Sequence, residues 1–184
     1  MPTNRAFNLE KYTRNHARKV DQALSQYLPS ARTKPTTIHK AMRHSLFAGG
    51  KRIRPILAIA AAEACGGSSS TALPLACAVE CIHTYSLVHD DLPSMDNDDF
   101  RRGQPTSHRV FGEGIAILTG DALLTQAFEI AAQARGSARY SNADIIREIT
   151  ITAGSLNLIA GQVADIEASS KNLTLPQLRY IHER

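Results

Sequence analysis

The chain has 184 residues, of which 43% are hydrophobic and 21% charged, and its net charge is +4. This balance is typical of a globular protein, and the length allows one domain with its own core, predicted to span 1–184. The basic residues come in small groups beside glycines, without a Lys/Arg-rich block that contains interleaved aromatic residues. The composition therefore argues against a nucleic-acid partner.

The three cysteines, Cys65, Cys77 and Cys81, are an odd number, which argues against a disulfide framework and for a reducing compartment. Cys77 and Cys81 share a helix face, and we interpret them as small buried hydrophobic residues rather than as metal ligands. No apolar run reaches the roughly 18 residues of a membrane span. The N-terminus also lacks the apolar core of a signal peptide. We therefore expect a cytoplasmic protein without a membrane span.

Helical periodicity dominates the chain from its start. Residues 8–28 carry apolar side chains at spacings of three and four, which predicts a helix that ends at Pro29-Ser30. Further helices are predicted at 37–48, 55–65, 74–92, 114–135 and 142–169, and from Leu175 to Arg184, where the last is still running. Residues 93–108 are polar and irregular, and strand signals are weak. The predicted fold class is all-α.

The most informative segment follows the long apolar helix, where five aspartates fall within the ten residues 90–99. Like charges this close repel, and the helix dipole adds to the cost at a C-terminus. A hard divalent cation would neutralise them. The coordination shell of Mg²⁺ is completed by one or two carboxylates plus substrate phosphates. On a straight helix Asp90 and Asp96 would point about 120° apart. Pro93 disrupts the helix between them, so both carboxylates could reach one cavity.

Two other interpretations of this segment remain open. Most charge runs are solvated loops. A calcium loop is disfavoured, because the spacing is not that of an EF-hand and the required Gly and terminal Glu are missing. Arg101-Arg102 follows the aspartates directly, which favours one site that handles metal and phosphate together.

A second basic group lies at Gly49-Gly50-Lys51-Arg52-Ile53-Arg54-Pro55. The glycines allow close backbone approach, Lys51 supplies a point charge, and Arg54 can bind phosphate oxygens in a bidentate manner. The frame is not that of a Walker A loop. His83 lies seven residues before Asp90, two helical turns away on a similar face. A core histidine and a site histidine are about equally compatible with that position.

Together these segments resemble the trans-isoprenyl diphosphate synthases, the polyprenyl synthetase family. Residues 49–55 resemble the family's GGKRxRP box, and 90–96 with 101–103 resemble its first aspartate-rich motif in the longer bacterial spacing. Gly120-Asp121 and 161–165 are similar to two further signatures. The resemblance covers nearly the whole chain, and it implies an isoprenoid-synthase-type helical bundle around a central cavity, here without the C-terminal helices. It also implies a homodimer.

The resemblance assigns roles to individual residues. Asp90 and Asp96 would bind Mg²⁺ and, through it, the allylic diphosphate, which Arg101 would also contact. The residues that would hold isopentenyl diphosphate are Lys51, Arg54, His83 and Arg102. Gln162 and Asp165 would line the allylic cavity. The implied enzyme is a prenyltransferase that condenses isopentenyl diphosphate with dimethylallyl or geranyl diphosphate and releases pyrophosphate.

Product length in this family depends on the floor of the allylic pocket. Tyr85 lies five residues before Asp90, and its bulky ring resembles that of the bacterial farnesyl diphosphate synthases. The expected product is therefore farnesyl diphosphate. Ser86 beside it is small, which keeps a geranylgeranyl product open.

The chain departs from the family pattern in two places. Ala160 stands where the family usually has a first glycine before Gly161-Gln162, and the second aspartate-rich motif is missing after Arg184. The chain could be a truncated piece of an active enzyme, which we favour because the predicted last helix stops abruptly. It could also be a natural half-length protein that is inactive alone, or a non-catalytic subunit of a full synthase. A helical terpene cyclase is disfavoured, because it has no isopentenyl substrate for a GGKRxRP box to hold.

Overall fold

The computed structural model describes residues 7–168 and 172–184, and these residues form helices joined by turns and one short hairpin. The elements are α1 (Leu9–Tyr27), α2 (Thr36–Leu46), α3 (Ile53–Ala64), α4 (Ser69–Asp90), β1 (Phe100–Arg101), β2 (Gln104–Pro105), α5 (Ser107–Phe111), α6 (Glu113–Ala131), α7 (Asn142–Ala153), α8 (Leu158–Ala168) and α9 (Leu175–His182). The prediction of an all-α protein is confirmed.

The helices fall into two compact units, the first ending at Ala134 and the second beginning at Arg135. The first unit holds α1 to α6 and the hairpin, and the second holds α7 to α9. The prediction of one domain over 1–184 stays a prediction.

The core of the first unit is centred on α4, which packs against α3 and α6. Small side chains such as Ala76 and Ala127 line the packed faces and are fully or almost fully buried. Leu24, Leu46 and Ile59 close the core from α1, α2 and α3 with no exposed surface. Each such side chain stabilises the fold by about 1.5–3 kcal/mol relative to an exposed one. This core fixes α4, which carries most of the candidate site.

Helix α4 begins five residues earlier than the prediction of 74–92, and Pro74 lies inside it. Ser68 caps the helix, since its side chain accepts a hydrogen bond from the Thr71 amide at 3.2 Å. The cap therefore determines where the helix begins, and Pro74 is accommodated despite its missing N–H. Helix α3 likewise begins before the predicted Pro55, at Ile53.

The predicted helix over 142–169 is two helices in the described residues. Gly154 ends α7, and its carbonyl accepts from the amides of Asn157 and Ile159 at 3.1 and 3.2 Å, which forms a turn before α8. Residue 169 lies outside the described residues. The last helix, α9, ends at His182 with Glu183 as its C-cap. In the described residues α9 therefore stops two residues short of the predicted Arg184.

Three stretches are long and apolar enough to cross a membrane by length and composition alone: Ser69–Asp90, Glu113–Ala131 and Asn142–Ala168. Composition by itself therefore does not exclude a span. In the most apolar windows of α4 and α6, 50% and 44% of the residues are buried inside the protein. Packing of these two helices against each other accounts for their apolar character.

The three cysteines are free. Cys77 and Cys81 are fully buried, as interpreted from their helical spacing, and Cys65 is exposed. Burial raises the pKa of the Cys77 thiol to about 12, so the group stays protonated at neutral pH.

Candidate active site

The acidic loop, residues 90–99, begins where α4 ends at Asp90. The amide of Asp96 donates a hydrogen bond to the Asp90 carbonyl at 2.8 Å, and the Asn97 amide donates to the Leu92 carbonyl at 3.1 Å. These bonds fold the chain back at Pro93. The loop thereby brings the backbone of Asp96 beside that of Asp90, and the convergence of both carboxylates on one cavity stays a prediction.

The two carboxylates interact through their charge. Burial and the charges of Asp96 and Asp91 raise the pKa of Asp90, Arg101 and His89 oppose the shift, and the net pKa is about 6. The ionised form of Asp90 is therefore costly without a nearby cation. A divalent cation would remove that cost.

The donor set fits magnesium that arrives with a diphosphate. No group of three or more His, Cys, Asp or Glu side chains suited to hold a metal occurs within residues 7–168 and 172–184. A dedicated all-protein cage is therefore absent from the described residues. Mg²⁺ usually takes one or two carboxylates and completes its shell with water and substrate phosphate. Asp90 and Asp96 supply that number.

Asp91 has a different partner from its neighbours. It is 4% exposed, and its Oδ1 lies 2.6 Å from the guanidinium of Arg101. The same guanidinium reaches Asp98 Oδ2 at 3.3 Å. Arg101 is thus held beside the acidic loop by two carboxylates that are not the predicted metal ligands. Sequence reasoning named Arg101 but missed Asp91 as its anchor.

The Arg hairpin, formed by β1 and β2 over residues 100–105, carries both arginines. Phe100 pairs with Pro105 and Arg101 with Gln104, so Arg102 and Gly103 form a two-residue turn. Both turn residues have positive φ, 54° and 77°, as tight hairpin turns require. Arg101 and Arg102 consequently point to different partners. The guanidinium of Arg102 donates a hydrogen bond to the Gly49 carbonyl.

A basic cleft of about 510 Å³ opens beyond Arg102. Its lining residues are Ala48, Gly49, Gly50, Lys51, Arg52, Ile53, Arg54, Glu80, His83 and Arg102. Gly50 has a φ of 135° and faces the Arg102 guanidinium so closely that a Cβ would collide with it. A side chain at this position would therefore displace the Arg102 guanidinium from the loop before α3. This cleft contains all four residues predicted to hold one diphosphate.

His83 lies in the cleft as a neutral base. Its Nε2 is 3.3 Å from Arg54 Nη1, and because arginine only donates, Nε2 accepts and the proton sits on Nδ1. Burial, together with the charges of Arg54, Arg102, Arg101 and Arg52, lowers the pKa of His83 to about 4. At neutral pH this imidazole can orient Arg54 without adding charge.

Tyr85 and Ser86 occupy the last turns of α4. Tyr85 is 8% exposed, and its ring stands edge-on to that of His89 with centroids 5.9 Å apart. Burial and the Asp90 charge raise the pKa of Tyr85. Ser86 is half-buried, and its hydroxyl donates to the His83 carbonyl at 3.0 Å. Their assignment to product length stays a prediction.

Comparison with known proteins decides the family. Residues 35–184 match the family model described as polyprenyl synthetase. The chain belongs to the polyprenyl synthetase family.

Two curated relatives illustrate the range of this family. The chain is 50% identical over 183 residues to the heterodimeric geranylgeranyl pyrophosphate synthase large subunit 1, chloroplastic, of Arabidopsis thaliana, covering 96% of this chain and 49% of that protein. It is 47% identical over 177 residues to the farnesyl diphosphate synthase of Geobacillus stearothermophilus, covering 95% and 59%. The chain thus spans about half the length of the curated relatives it matches.

Solved structures agree with the fold. A FPP/GFPP synthase from Zymomonas mobilis superposes with a TM-score of 0.85 at 35% identity, covering 95% of this chain and 64% of that one. A geranyltransferase from Legionella pneumophila gives a TM-score of 0.82 at 37% identity, covering 94% and 60%. The helical arrangement described above is therefore that of the polyprenyl synthetases.

Within this polyprenyl synthetase chain, Gly120 of α6 explains how α4 meets its neighbour. A Cβ at Gly120 would overlap the ring of His89, whose Nε2 hydrogen-bonds the Ile117 carbonyl at 3.0 Å. Asp121 lies 3.9 Å from the same nitrogen. Gly120 thus lets the His89 ring lie against α6. His89 directly precedes Asp90 in the chain. The sequence marked Gly120 only by its resemblance to a family signature.

Gln162 and Asp165 belong to the second unit and lie on α8. They are three residues apart, so they share a helix face, with Gln162 half-buried and Asp165 exposed. Gly161 beside them is buried, and a Cβ there would lie 3.2 Å from the Cβ of Arg184, which is a tight contact. The glycine therefore lets the residues that follow α9 approach α8 closely. The assignment of Gln162 and Asp165 to the allylic cavity stays a prediction.

Proposed function

We propose that the protein is a magnesium-dependent trans-prenyltransferase that joins isopentenyl diphosphate to an allylic diphosphate. One observation carries the proposal: two consecutive arginines link an acidic loop to a basic cleft. Arg101 is bound to Asp91 beside Asp90, while Arg102 contacts Gly49 at the cleft. Two diphosphates held on either side of this hairpin would lie next to each other.

The acidic loop suits the allylic substrate. Asp90 and Asp96 would hold Mg²⁺, which when bound supplies positive charge that stabilises the departing pyrophosphate. Arg101 is already oriented by Asp91 and Asp98, so its remaining N–H groups can donate to diphosphate oxygens without a large reorganisation. The allylic C–O bond breaks with its electron pair on oxygen, which leaves an allylic cation.

The basic cleft suits isopentenyl diphosphate. Lys51 and Arg54 are exposed at its rim, and Arg102 closes the side toward the acidic loop. The isopentenyl double bond attacks the allylic cation and forms the new C–C bond. One proton is then lost from the adjacent carbon, with pyrophosphate as the base. No protein nucleophile is required, and neutral His83 contributes by accepting from Arg54.

Farnesyl diphosphate is the product we favour. The buried Tyr85 ring on α4 supports a short allylic pocket, since it is bulky and packed against His89. A geranylgeranyl product is the alternative, because one relative with 50% identity is named a geranylgeranyl pyrophosphate synthase subunit.

A non-catalytic subunit is a second candidate. The name of that relative, a large subunit of a heterodimeric synthase, supports only that such a chain can be one subunit of a larger assembly. Retention of Asp90 and Asp96 beside an oriented Arg101 favours catalysis, since a purely structural subunit has no use for the charge repulsion they cause.

A homodimer, which we propose as the assembly, is supported by exposed apolar residues on α5 and α6: Val110, Ile117 and Leu118. A cytoplasmic location stays a prediction.

Product analysis tests the proposal. The chain is incubated with isopentenyl diphosphate, geranyl diphosphate and Mg²⁺, and the products are separated by carbon number. A fifteen-carbon diphosphate is expected, and it is expected to disappear when Mg²⁺ is chelated. A chain that yields no product and also fails to bind either diphosphate would contradict the proposal.

A further inference from the structure

Arg52 is a buried charged residue of the first unit whose guanidinium makes three hydrogen bonds. Its side chain is 2% exposed, although its neighbours Lys51 and Arg54 are exposed. The guanidinium donates to Asp21 Oδ1 on α1, to Glu80 Oε1 on α4 and to the Leu46 carbonyl at the end of α2, each at 2.8 Å. One side chain therefore ties three helices to the loop that precedes α3.

The backbone of Arg52 adopts an uncommon conformation. Its φ and ψ are 51° and 36°, which is the left-handed region that a residue with a Cβ adopts at some cost. Its carbonyl accepts from the Ile56 amide at 3.1 Å and so begins α3. The buried hydrogen bonds hold this conformation, and with it the directions in which Lys51 and Arg54 leave the chain.

The ion pair between Arg52 and Glu80 also affects the charge of the basic cleft. It lines the basic cleft but is 2% exposed, and an unpaired carboxylate there would repel a diphosphate. Arg52 neutralises it at 2.8 Å. Glu80 is also three residues before His83, which accepts from Arg54. Two contacts one helical turn apart, Arg52 to Glu80 and Arg54 to His83, thus fix the start of α3 against α4.

We propose that Arg52, clamped by Asp21 and Glu80, is a positioning residue for the isopentenyl half-site: it does not touch the diphosphate, but it fixes Lys51 and Arg54 in the geometry that binds it. The inference rests on the proposed function, because it assigns the basic cleft to that substrate. The acidic loop binds its ligand independently of this clamp.

The test measures the Kd of isopentenyl diphosphate and, separately, of geranyl diphosphate with Mg²⁺ by calorimetry. Arg52→Lys keeps the charge but loses the fork of three directed N–H bonds, so its Kd for isopentenyl diphosphate is expected to rise about tenfold. Its Kd for geranyl diphosphate is expected to stay within about twofold. Arg43→Lys is the matched control, since Arg43 also bonds several backbone carbonyls but lies outside the cleft.

A second pair of variants serves if Arg52→Lys does not fold. Asp21 is 45% exposed on its side chain, so its replacement is tolerable. Asp21→Ala is expected to weaken isopentenyl diphosphate about threefold, and Asp21→Asn, which keeps an acceptor oxygen for Arg52, is expected to restore most of the affinity.

The possible outcomes separate the inference from the proposed function. An equal loss of both ligands, or a loss matched by Arg43→Lys, overturns the positioning role, because a general loosening would then explain it. Unchanged affinity for isopentenyl diphosphate in all variants overturns the inference while the proposed function stands. An unsubstituted chain that binds neither diphosphate overturns both.

Discussion

The Nε2 atom of His83 lies 3.3 Å from Nη1 of Arg54, so an imidazole and a guanidinium share one wall of the basic cleft. The arrangement is stable only while the imidazole is neutral, because a protonated ring would face Arg54 and three further arginines at 52, 101 and 102. His83 is therefore uncharged at neutral pH, with its Nε2 accepting a hydrogen bond from Arg54.

The stability contributed by His83 is expected to depend on pH. Its pKa is lowered from 6.5 to about 4, so the unfolded chain binds the proton more tightly. The contribution is present above pH 6.5 and is lost as the pH falls from there through about 4. The pKa of Asp90 is raised to about 6, so the contribution of Asp90 to stability changes with pH in the opposite direction. The measurement is therefore the difference in Tm between the unsubstituted chain and His83→Gln. The Tm of the unsubstituted chain minus the Tm of His83→Gln should rise from pH 4 to pH 6.5. A difference that does not change with pH would contradict a neutral His83.

Asp90 and Asp96 should be needed for magnesium-dependent binding of geranyl diphosphate. Asp90→Asn or Asp96→Asn removes a charged metal ligand, so each is expected to weaken that binding by about tenfold or more. Asp99→Asn is the matched control, because Asp99 is an exposed aspartate of the same loop that pairs with Arg109 at 3.2 Å. Equal loss in all three variants would indicate a general charge effect rather than a metal site.

Asp91 is expected to stabilise the fold through its ion pair with Arg101. Asp91→Ala leaves a partly buried guanidinium without its 2.6 Å partner, and a fall of about 2–3 kcal/mol in the free energy of unfolding is expected. Asp99→Ala breaks an exposed ion pair and should cost less than about 1 kcal/mol. Urea titration followed by circular dichroism measures both. A small effect of Asp91→Ala would mean that Arg101 is held by other contacts.

Glycines of α6 offer a paired test of the helix contact. Gly120→Ala would place a Cβ on the His89 ring, whereas nothing lies within 4 Å of a Cβ built at Gly114. Gly114→Ala, in the first turn of α6, is therefore expected to stabilise the protein by less than about 1 kcal/mol through helix propensity. Gly120→Ala is expected to destabilise it despite the larger propensity gain of an interior position. Similar Tm changes in the two variants would exclude a close α4–α6 contact at His89.

Much of the site was predictable because its residues cluster in sequence. Five aspartates in ten residues and a Gly-Gly-Lys-Arg segment indicate a charged site from the sequence alone, and their role in binding phosphate stays a prediction. Asp91 and Arg52 could not be separated from their neighbours in this way. Their roles depend on burial against Arg101 and Glu80, which are partners brought together only by the packing of α4 with the loops.

The all-α fold class was predictable from the periodicity of apolar residues, but several helix boundaries were not. Ser68 starts α4 through a cap that outweighs the breaker signal of Pro74. Gly154 ends α7 through a turn that interrupts a continuous apolar pattern. Both are local hydrogen-bond arrangements that a hydrophobic pattern does not report.

Under the proposed function the chain assembles two distinct diphosphate sites, one acidic with magnesium and one basic. Calorimetry with geranyl diphosphate and with isopentenyl diphosphate, each in the presence of Mg²⁺ and then of a chelator, tests it most directly. Geranyl diphosphate is expected to bind only with Mg²⁺, and isopentenyl diphosphate is expected to bind under both conditions. Binding of geranyl diphosphate that is indifferent to Mg²⁺, or binding of neither ligand, would contradict the account.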